Sequence, residues 1–310
     1  MASDQRCNGR RVYVRYETAT AFRAALEARL NRRSAETDIS LGRLRKSVVF
    51  DRLLARLLIV APGRWVLKGA LALEFRFGSR TRATKDIDLG RADDEQAATK
   101  DFVEAQHIDL GDHFVFAIQR TDRLDELEDA AAVRYHVSCE LAGRLFDEIR
   151  VDVAFGSPEL DSPDTLYGPE LLDFAEIKAV QVPGIPLPRH VAEKVHAYTR
   201  TYGRIGKHSS RVRDLVDLAL IASEATMDAR MLRQQLVTTF EVRATHELPT
   251  ELPPAPEDWS IPFRKLAREV GIPDRIEEGH SLAAAMLDPV LRRQVTKGRW
   301  DPSAKLWRET

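Results

Sequence analysis

The spacing of apolar residues predicts that the chain begins with helices. Apolar side chains recur at helical spacing over about 19–33 and 41–60. A short apolar run at 65–67 then precedes Lys68 and Gly69, and the glycine opens another short helix in ALALEFRF. We therefore predict two amphipathic helices followed by a glycine turn and a third, shorter helix.

The pattern changes to strict alternation at residue 86. Ile87 and Leu89 alternate with Asp86 and Asp88, and alternating or strand-like runs follow at 114–118, 133–141 and 149–155. This period of two is typical of strands with one buried face. The middle of the chain is predicted to form a sheet.

Prolines at 183, 186 and 188 end this pattern, and the period beyond them is again helical. Helices are predicted at about 189–203, 208–224, 227–239, 258–270 and 281–297. We predict an α+β fold, in which a domain with a mixed or antiparallel sheet (1–185) precedes a helical domain (186–310).

Composition narrows the class of protein. The 310 residues include 47 basic and 48 acidic side chains, which excludes a uniformly basic surface but allows a local basic region. Cys7 and Cys139 are the only cysteines, too few for a disulfide framework, and no run resembles a signal peptide or a membrane span. We expect a cytoplasmic protein.

The segment RATKDIDLG contains the first candidate chemistry. Residues i and i+2 of a strand share a face, so Asp86 and Asp88 should point together away from the core. Asp152 has the same polar parity in the run RVDVAF, and it would join them if the two strands are neighbours. Three clustered carboxylates suit Mg²⁺ or Mn²⁺, whereas a lone pair of aspartates is more often a solvated sheet face.

Two basic features could bind phosphate. Gly69 begins a helix, whose amide groups and dipole favour an anion, and Lys68 adds a charge. The segment 189–213 could be a basic groove for RNA, with the cations Arg189, Lys194, Arg200, Arg204, Lys207, Arg211 and Arg213 and the interleaved Tyr198 and Tyr202. The alternative is a solvated helix pair with the tyrosines in the core.

These motifs, in this order, resemble a known family. A glycine turn, a helix, a strand with Asp-x-Asp and a later third carboxylate are the pattern of the polymerase-β-like nucleotidyltransferases. More narrowly, LKGALALEFRF followed by RATKDIDL, and AEKVHAYTR followed by SRVRDLVDLAL, resemble the AbiEii/AbiGii toxins, the group that includes the MenT toxins. Ala70 departs from the superfamily pattern, which has a second glycine or a serine there.

The resemblance implies a role for each matching residue. The implied catalytic residues are Asp86, Asp88, Lys194 and Asp214; the nucleotide-binding residues are Lys68, Gly69, Arg82 and Thr84; and the metal ligands are Asp86, Asp88 and Asp152. Asp217, three residues beyond Asp214, is expected to pair with Arg211 or Arg213 instead.

The implied function is transfer of nucleotides from an NTP to RNA, chiefly the 3′ end of tRNA, with Mg²⁺ or Mn²⁺ as cofactor. The protein would block translation as a toxin, and a cognate antitoxin would restrain it. Phosphorylation of Thr84 would place a dianion beside the aspartates and repel the triphosphate. The alternatives are an inactive NTP-binding regulatory module and an RNA-binding adaptor.

Overall fold

The computed structural model describes residues 16–123, 132–156, 162–200 and 211–309. It divides into two compact units, the first made of residues 1–66, 84–158 and 165–183 and the second of 67–83, 159–164 and 184–310. The division of the chain into domains at residue 185 stays a prediction. In the described ranges, no helix has the length and apolarity needed to cross a membrane.

A mixed sheet and three long helices build most of the first unit. The helices are α1 (Ala19–Glu36), α2 (Leu41–Val60) and α4 (Glu95–Gln106). Helix α3 (Gly69–Phe77) lies between α2 and α4 in the chain but belongs to the second unit. The strands are β1 (Val66–Lys68), β2 (Asp86–Arg91), β3 (Phe114–Arg123), β4 (Ala132–Leu141), β5 (Arg144–Phe155), β6 (Asp164–Tyr167) and β7 (Gln181–Gly184). The periodicity predicted α1, α2, α3 and the strands β2 to β5, but not α4.

The strand order of this sheet is β3-β4-β5-β2-β1-β7-β6, and the chain passes between the two units within β1, β6 and β7. β2 pairs with β5 in parallel, whereas β3–β4 and β4–β5 are antiparallel, so the predicted mixed sheet is confirmed. One face is apolar: Ile87, Val151 and Tyr135 are buried on it, and the Tyr135 ring stacks on Phe102 of α4 at 4.1 Å between centroids. The polar residues of the same strands therefore share the opposite face.

The second unit has a helical core. Its later helices are α5 (Leu187–Thr199), α6 (Val212–Glu224), α7 (Ala229–Arg243), α8 (Ser260–Val270) and α9 (Ile276–Leu291). α6 packs against α5, α8 and α9. All eight of its residues from Leu215 to Ala222 are buried, and Asp217 is the charged residue among these otherwise apolar side chains. The five predicted helices are present, each with bounds shifted by a few residues.

The sequence did not reveal a small sheet in this unit. Strands β8 (Met227–Asp228), β9 (Arg299–Asp301) and β10 (Leu306–Arg308) form it in the order β10-β9-β8. Trp300 of β9 is fully buried, and its indole N–H donates to the carbonyl of Ala222 at 2.8 Å. The C-terminal region is therefore not purely helical. The sheet could not be predicted because strands of two or three residues carry too little alternation to be recognised.

Candidate active site

Strand β2 presents its two aspartates on the polar face of the sheet. Asp86 and Asp88 are half-buried, while Ile87 and Leu89 between and after them are buried. This confirms that the two carboxylates share a face. The charged pair tolerates its apolar neighbours because the pleat of the strand separates the two kinds of side chain.

Asp152 lies beside this pair. In the parallel pairing of β2 and β5, Asp88 is the register partner of Asp152 and Asp86 is the register partner of Arg150. The expectation that the two strands are neighbours is confirmed, and all three carboxylates belong to one face of the sheet.

Two arginines bind two of these carboxylates. Arg134 of β4 is the register partner of Asp152, and its Nε and Nη2 each donate to an Asp152 oxygen at 2.7 Å. Arg150 donates in the same way to the oxygens of Asp86, from Nε at 2.7 Å and from Nη2 at 3.2 Å. The hydrogen bond to Asp152 raises the pKa of Arg134, and the charges of Asp86 and Asp88 raise it further.

The donor set of this face fits a divalent cation in kind, since carboxylate oxygens are the ligands that Mg²⁺ and Mn²⁺ prefer. Among the described residues, however, no group of three or more His, Cys, Asp and Glu side chains is arranged to hold a metal ion. The sequence analysis predicted that three carboxylates converge, but it did not predict that two arginines bind them. The role of Asp86, Asp88 and Asp152 as metal ligands stays a prediction.

Thr84 precedes the aspartates and is buried. Its hydroxyl donates to the main-chain carbonyl of Asp86 at 3.0 Å, which ties the entry of β2 to its first aspartate. Phosphorylation at this position would require the hydroxyl to leave that hydrogen bond. The regulatory hypothesis for Thr84 stays a prediction.

The second unit contains a buried lysine between two aspartates. Lys194 on α5 donates from Nζ to Asp217 at 2.6 Å and to Asp214 at 3.3 Å, both on α6. Burial disfavours the charged form of Lys194, but the two carboxylates outweigh it and raise its pKa. The ammonium group of Lys194 is therefore held between two carboxylates.

Asp217 also binds Arg82. The guanidinium donates from Nε and Nη2 to the two oxygens of Asp217, both at 3.1 Å. Burial alone would raise the pKa of Asp217, yet the charges of Lys194 and Arg82 lower it. The expectation that Asp217 pairs with Arg211 or Arg213 is wrong, because its partners are Lys194 and Arg82. Arg211 instead lies near Asp214, with 3.8 Å between its Nη1 and Oδ2 of that aspartate.

Lys68 forms an ion pair with Glu193, the residue that precedes Lys194. Its Nζ donates to Oε1 of Glu193 at 2.9 Å, and the same oxygen lies 3.8 Å from Arg189 and 3.6 Å from Arg243. Burial would raise the pKa of Glu193, but Lys68 and the two arginines lower it to about 2. Nothing in the local sequence around Glu193 indicates these contacts.

Gly69 starts α3 with a φ of +59°, in the left-handed region that favours glycine. The residue before it, Lys68, is extended, so the chain turns sharply from β1 into the helix. A side chain at this position would be strained. The predicted glycine turn is confirmed as a backbone feature.

Two of the cations in the basic groove predicted at 189–213 do not face solvent. Arg189 and Lys194 are buried and ion-paired, and Tyr198 is buried with its hydroxyl donating to the carbonyl of Pro253 at 2.8 Å. The core interpretation of Tyr198 is therefore correct. Arg200 and Arg211 are partly exposed and Arg213 is exposed, whereas Tyr202, Arg204 and Lys207 lie outside the described residues.

An aspartate pair on a strand, a third carboxylate in register beside it and a glycine turn into a helix are all present, as the resemblance to nucleotidyltransferases implied. A family model described as "Nucleotidyl transferase AbiEii toxin, Type IV TA system" matches residues 52–298. The chain belongs to this family. A search of curated proteins found no match.

A search of solved structures found chains that are similar to this one. The MenT4 nucleotidyltransferase toxin Rv2826c from Mycobacterium tuberculosis H37Rv is 18% identical with a TM-score of 0.51, over 88% of this chain and 99% of that one. JHP933 from Helicobacter pylori is 14% identical with a TM-score of 0.47, over 80% and 93% of the two chains. At 18% identity, the comparison with MenT4 shows a shared fold and nothing more.

Proposed function

We propose that the protein transfers nucleotides from an NTP to RNA, with the 3′ acceptor end of tRNA as the target. The observation that carries the proposal is the register of β2 and β5, which sets Asp88 beside Asp152 with Asp86 on the same face. Family membership supports the reaction class. The choice of tRNA rests on the resemblance of the sequence motifs.

Asp86, Asp88 and Asp152 would hold Mg²⁺ or Mn²⁺ in this reaction. A divalent cation supplies charge neutralisation at the phosphate that is transferred. The chain's own contribution is a fixed set of hard oxygen ligands, made rigid by the pairing of two central strands.

The proposed role of Lys194 is to neutralise the triphosphate. Asp214 and Asp217 hold its ammonium group in one place, so no reorganisation is needed when the nucleotide binds. Lys68, Gly69, Arg82 and Thr84 are proposed to bind the nucleotide. For Lys68 and Arg82 the supporting observation is again a carboxylate that fixes the cation, Glu193 and Asp217 respectively.

The biological consequence follows from the target. Extra nucleotides on the acceptor end would prevent aminoacylation and so block translation in the cytoplasm, where tRNA and NTPs are found. The family description places such toxins in type IV toxin–antitoxin systems, and we propose a cognate antitoxin as the protein partner.

The test uses total tRNA, Mg²⁺ and each α-labelled NTP in turn, with intact tRNA compared with tRNA whose 3′-terminal diol has been oxidised by periodate. We expect label on intact tRNA only, with one nucleotide preferred. Label on both substrates would overturn the 3′ end as the target. Nucleotide binding without any transfer would instead favour the regulatory module.

A further inference from the structure

The two arginines on the acidic face of the sheet are not explained by the proposed reaction. Cross-strand register places each one beside a carboxylate: Arg150 opposite Asp86, and Arg134 opposite Asp152. The pairing of β2, β4 and β5 therefore brings each arginine within reach of its carboxylate.

In both contacts Nε and Nη2 of the arginine donate to the two oxygens of one carboxylate. This bidentate geometry is the strongest form of an arginine–carboxylate pair. The side chains of Arg134 and Asp152 are 28% and 17% exposed, so water screens this pair only in part. Arg134 and Arg150 hold both oxygens of Asp152 and of Asp86, so a divalent cation at these carboxylates would meet the two guanidinium groups.

We propose that Arg134 and Arg150 are internal counter-ions that compete with the divalent cation for Asp152 and Asp86, so that cation binding is coupled to nucleotide binding. A cation alone must displace two bidentate pairs and leave two guanidinium groups without their carboxylates. A nucleotide brings phosphate oxygens, which guanidinium groups bind in the same bidentate way. The displaced arginines then exchange carboxylate for phosphate.

The coupling is reciprocal, as it must be for two ligands of one protein. Arg134 and Arg150 disfavour the cation without nucleotide and favour the nucleotide once the cation is bound. They are thus positioning residues whose effect is on the order and cooperativity of binding. This inference rests on the proposed metal site, but its test does not require nucleotide transfer.

The test measures Mn²⁺ affinity from the electron paramagnetic resonance signal of unbound Mn²⁺, with and without an NTP analogue that has a methylene bridge between the α- and β-phosphates. We expect wild type to bind Mn²⁺ weakly alone and about tenfold more tightly with the analogue. Arg150→Gln and Arg134→Gln should each bind Mn²⁺ alone about tenfold more tightly than wild type, with a smaller gain from the analogue.

Arg120→Gln is the matched control for charge. Arg120 lies on β3 of the same sheet and pairs with Glu95, and its register partner is Tyr135 of the apolar face. It should leave Mn²⁺ affinity unchanged. Arg150→Lys keeps the charge but loses the bidentate contact, so its Mn²⁺ affinity should lie between those of wild type and Arg150→Gln.

Equal Mn²⁺ affinity in wild type, Arg150→Gln and Arg134→Gln would overturn the inference. An equal increase in Arg120→Gln would also overturn it, because the effect would then be one of net charge. Failure of wild type to bind Mn²⁺ even with the analogue would instead contradict the proposed metal site. Circular dichroism confirms that each variant is folded before its affinity is compared.

Discussion

Asp217 holds two cations at once: one oxygen lies 2.6 Å from Nζ of Lys194, and both oxygens accept from Arg82 at 3.1 Å. The side chain of Asp217 is only 2% exposed, against 12% for Asp214. Lys194 and Arg82 therefore share one buried carboxylate. Asp217 is the positioning residue of this cluster, although the sequence motif pointed to Asp214.

Replacing Asp217 should cost more stability than replacing Asp214. Asp217→Asn leaves two largely buried cations without their shared charge, and loss of one partner from such a pair costs about 3 kcal/mol or more. Asp214→Asn should cost about 1 kcal/mol, because Asp217 still holds Lys194. Urea unfolding followed by circular dichroism measures both, and an equal or larger loss in Asp214→Asn would refute the assignment.

Glu193 should make folding stability depend on acid pH. Its pKa is about 2 in the folded protein against an ordinary value of 4.5, so the unfolded state binds the proton more readily. The stabilisation is complete above about pH 5 and is lost as the pH falls towards 2.

The comparison that isolates this effect is between wild type and Glu193→Gln. The difference in their free energies of unfolding should be largest near neutral pH and should shrink steadily below about pH 5. Urea unfolding at a series of pH values measures it. A difference that stays constant over this range would show that Glu193 does not act through its charge.

Gly69 can be tested against another glycine near a helix start. Gly69→Ala should lower the free energy of unfolding by about 1–2 kcal/mol, because alanine is strained at a φ of +59°. Gly42 in α2 has no atom within 4 Å of an added Cβ, and Gly42→Ala should stabilise the protein by about 0.5–1 kcal/mol. Thermal unfolding distinguishes the two, and equal effects would argue against the strained turn.

Much of the site was predictable because its residues alternate with apolar ones. Asp86, Asp88 and Asp152 have the parity of polar positions in strong strands, and the structure places them on one face. Arg150 had the same signal, since it precedes Asp152 by two residues, but only the register shows that it faces Asp86.

Long-range pairing was beyond the reach of periodicity. Arg82 and Asp217 are 135 residues apart in the chain, and Lys68 and Glu193 are 125 apart. Local spacing instead suggested Arg211 or Arg213 as partners of Asp217. Burial was missed for a related reason: Arg189 and Lys194 look like solvated helix cations until their carboxylate partners are known.

We propose that the aspartates of β2 carry nucleotide transfer to RNA. The direct measurement is incorporation of α-labelled nucleotide into tRNA by wild type, Asp86→Asn and the control Asp147→Asn. Asp147 is an aspartate of β5 that binds Lys46 at 2.7 Å and is not among the proposed metal ligands. We expect incorporation by wild type and Asp147→Asn and a loss of about 100-fold or more in Asp86→Asn. Equal incorporation by Asp86→Asn would contradict it.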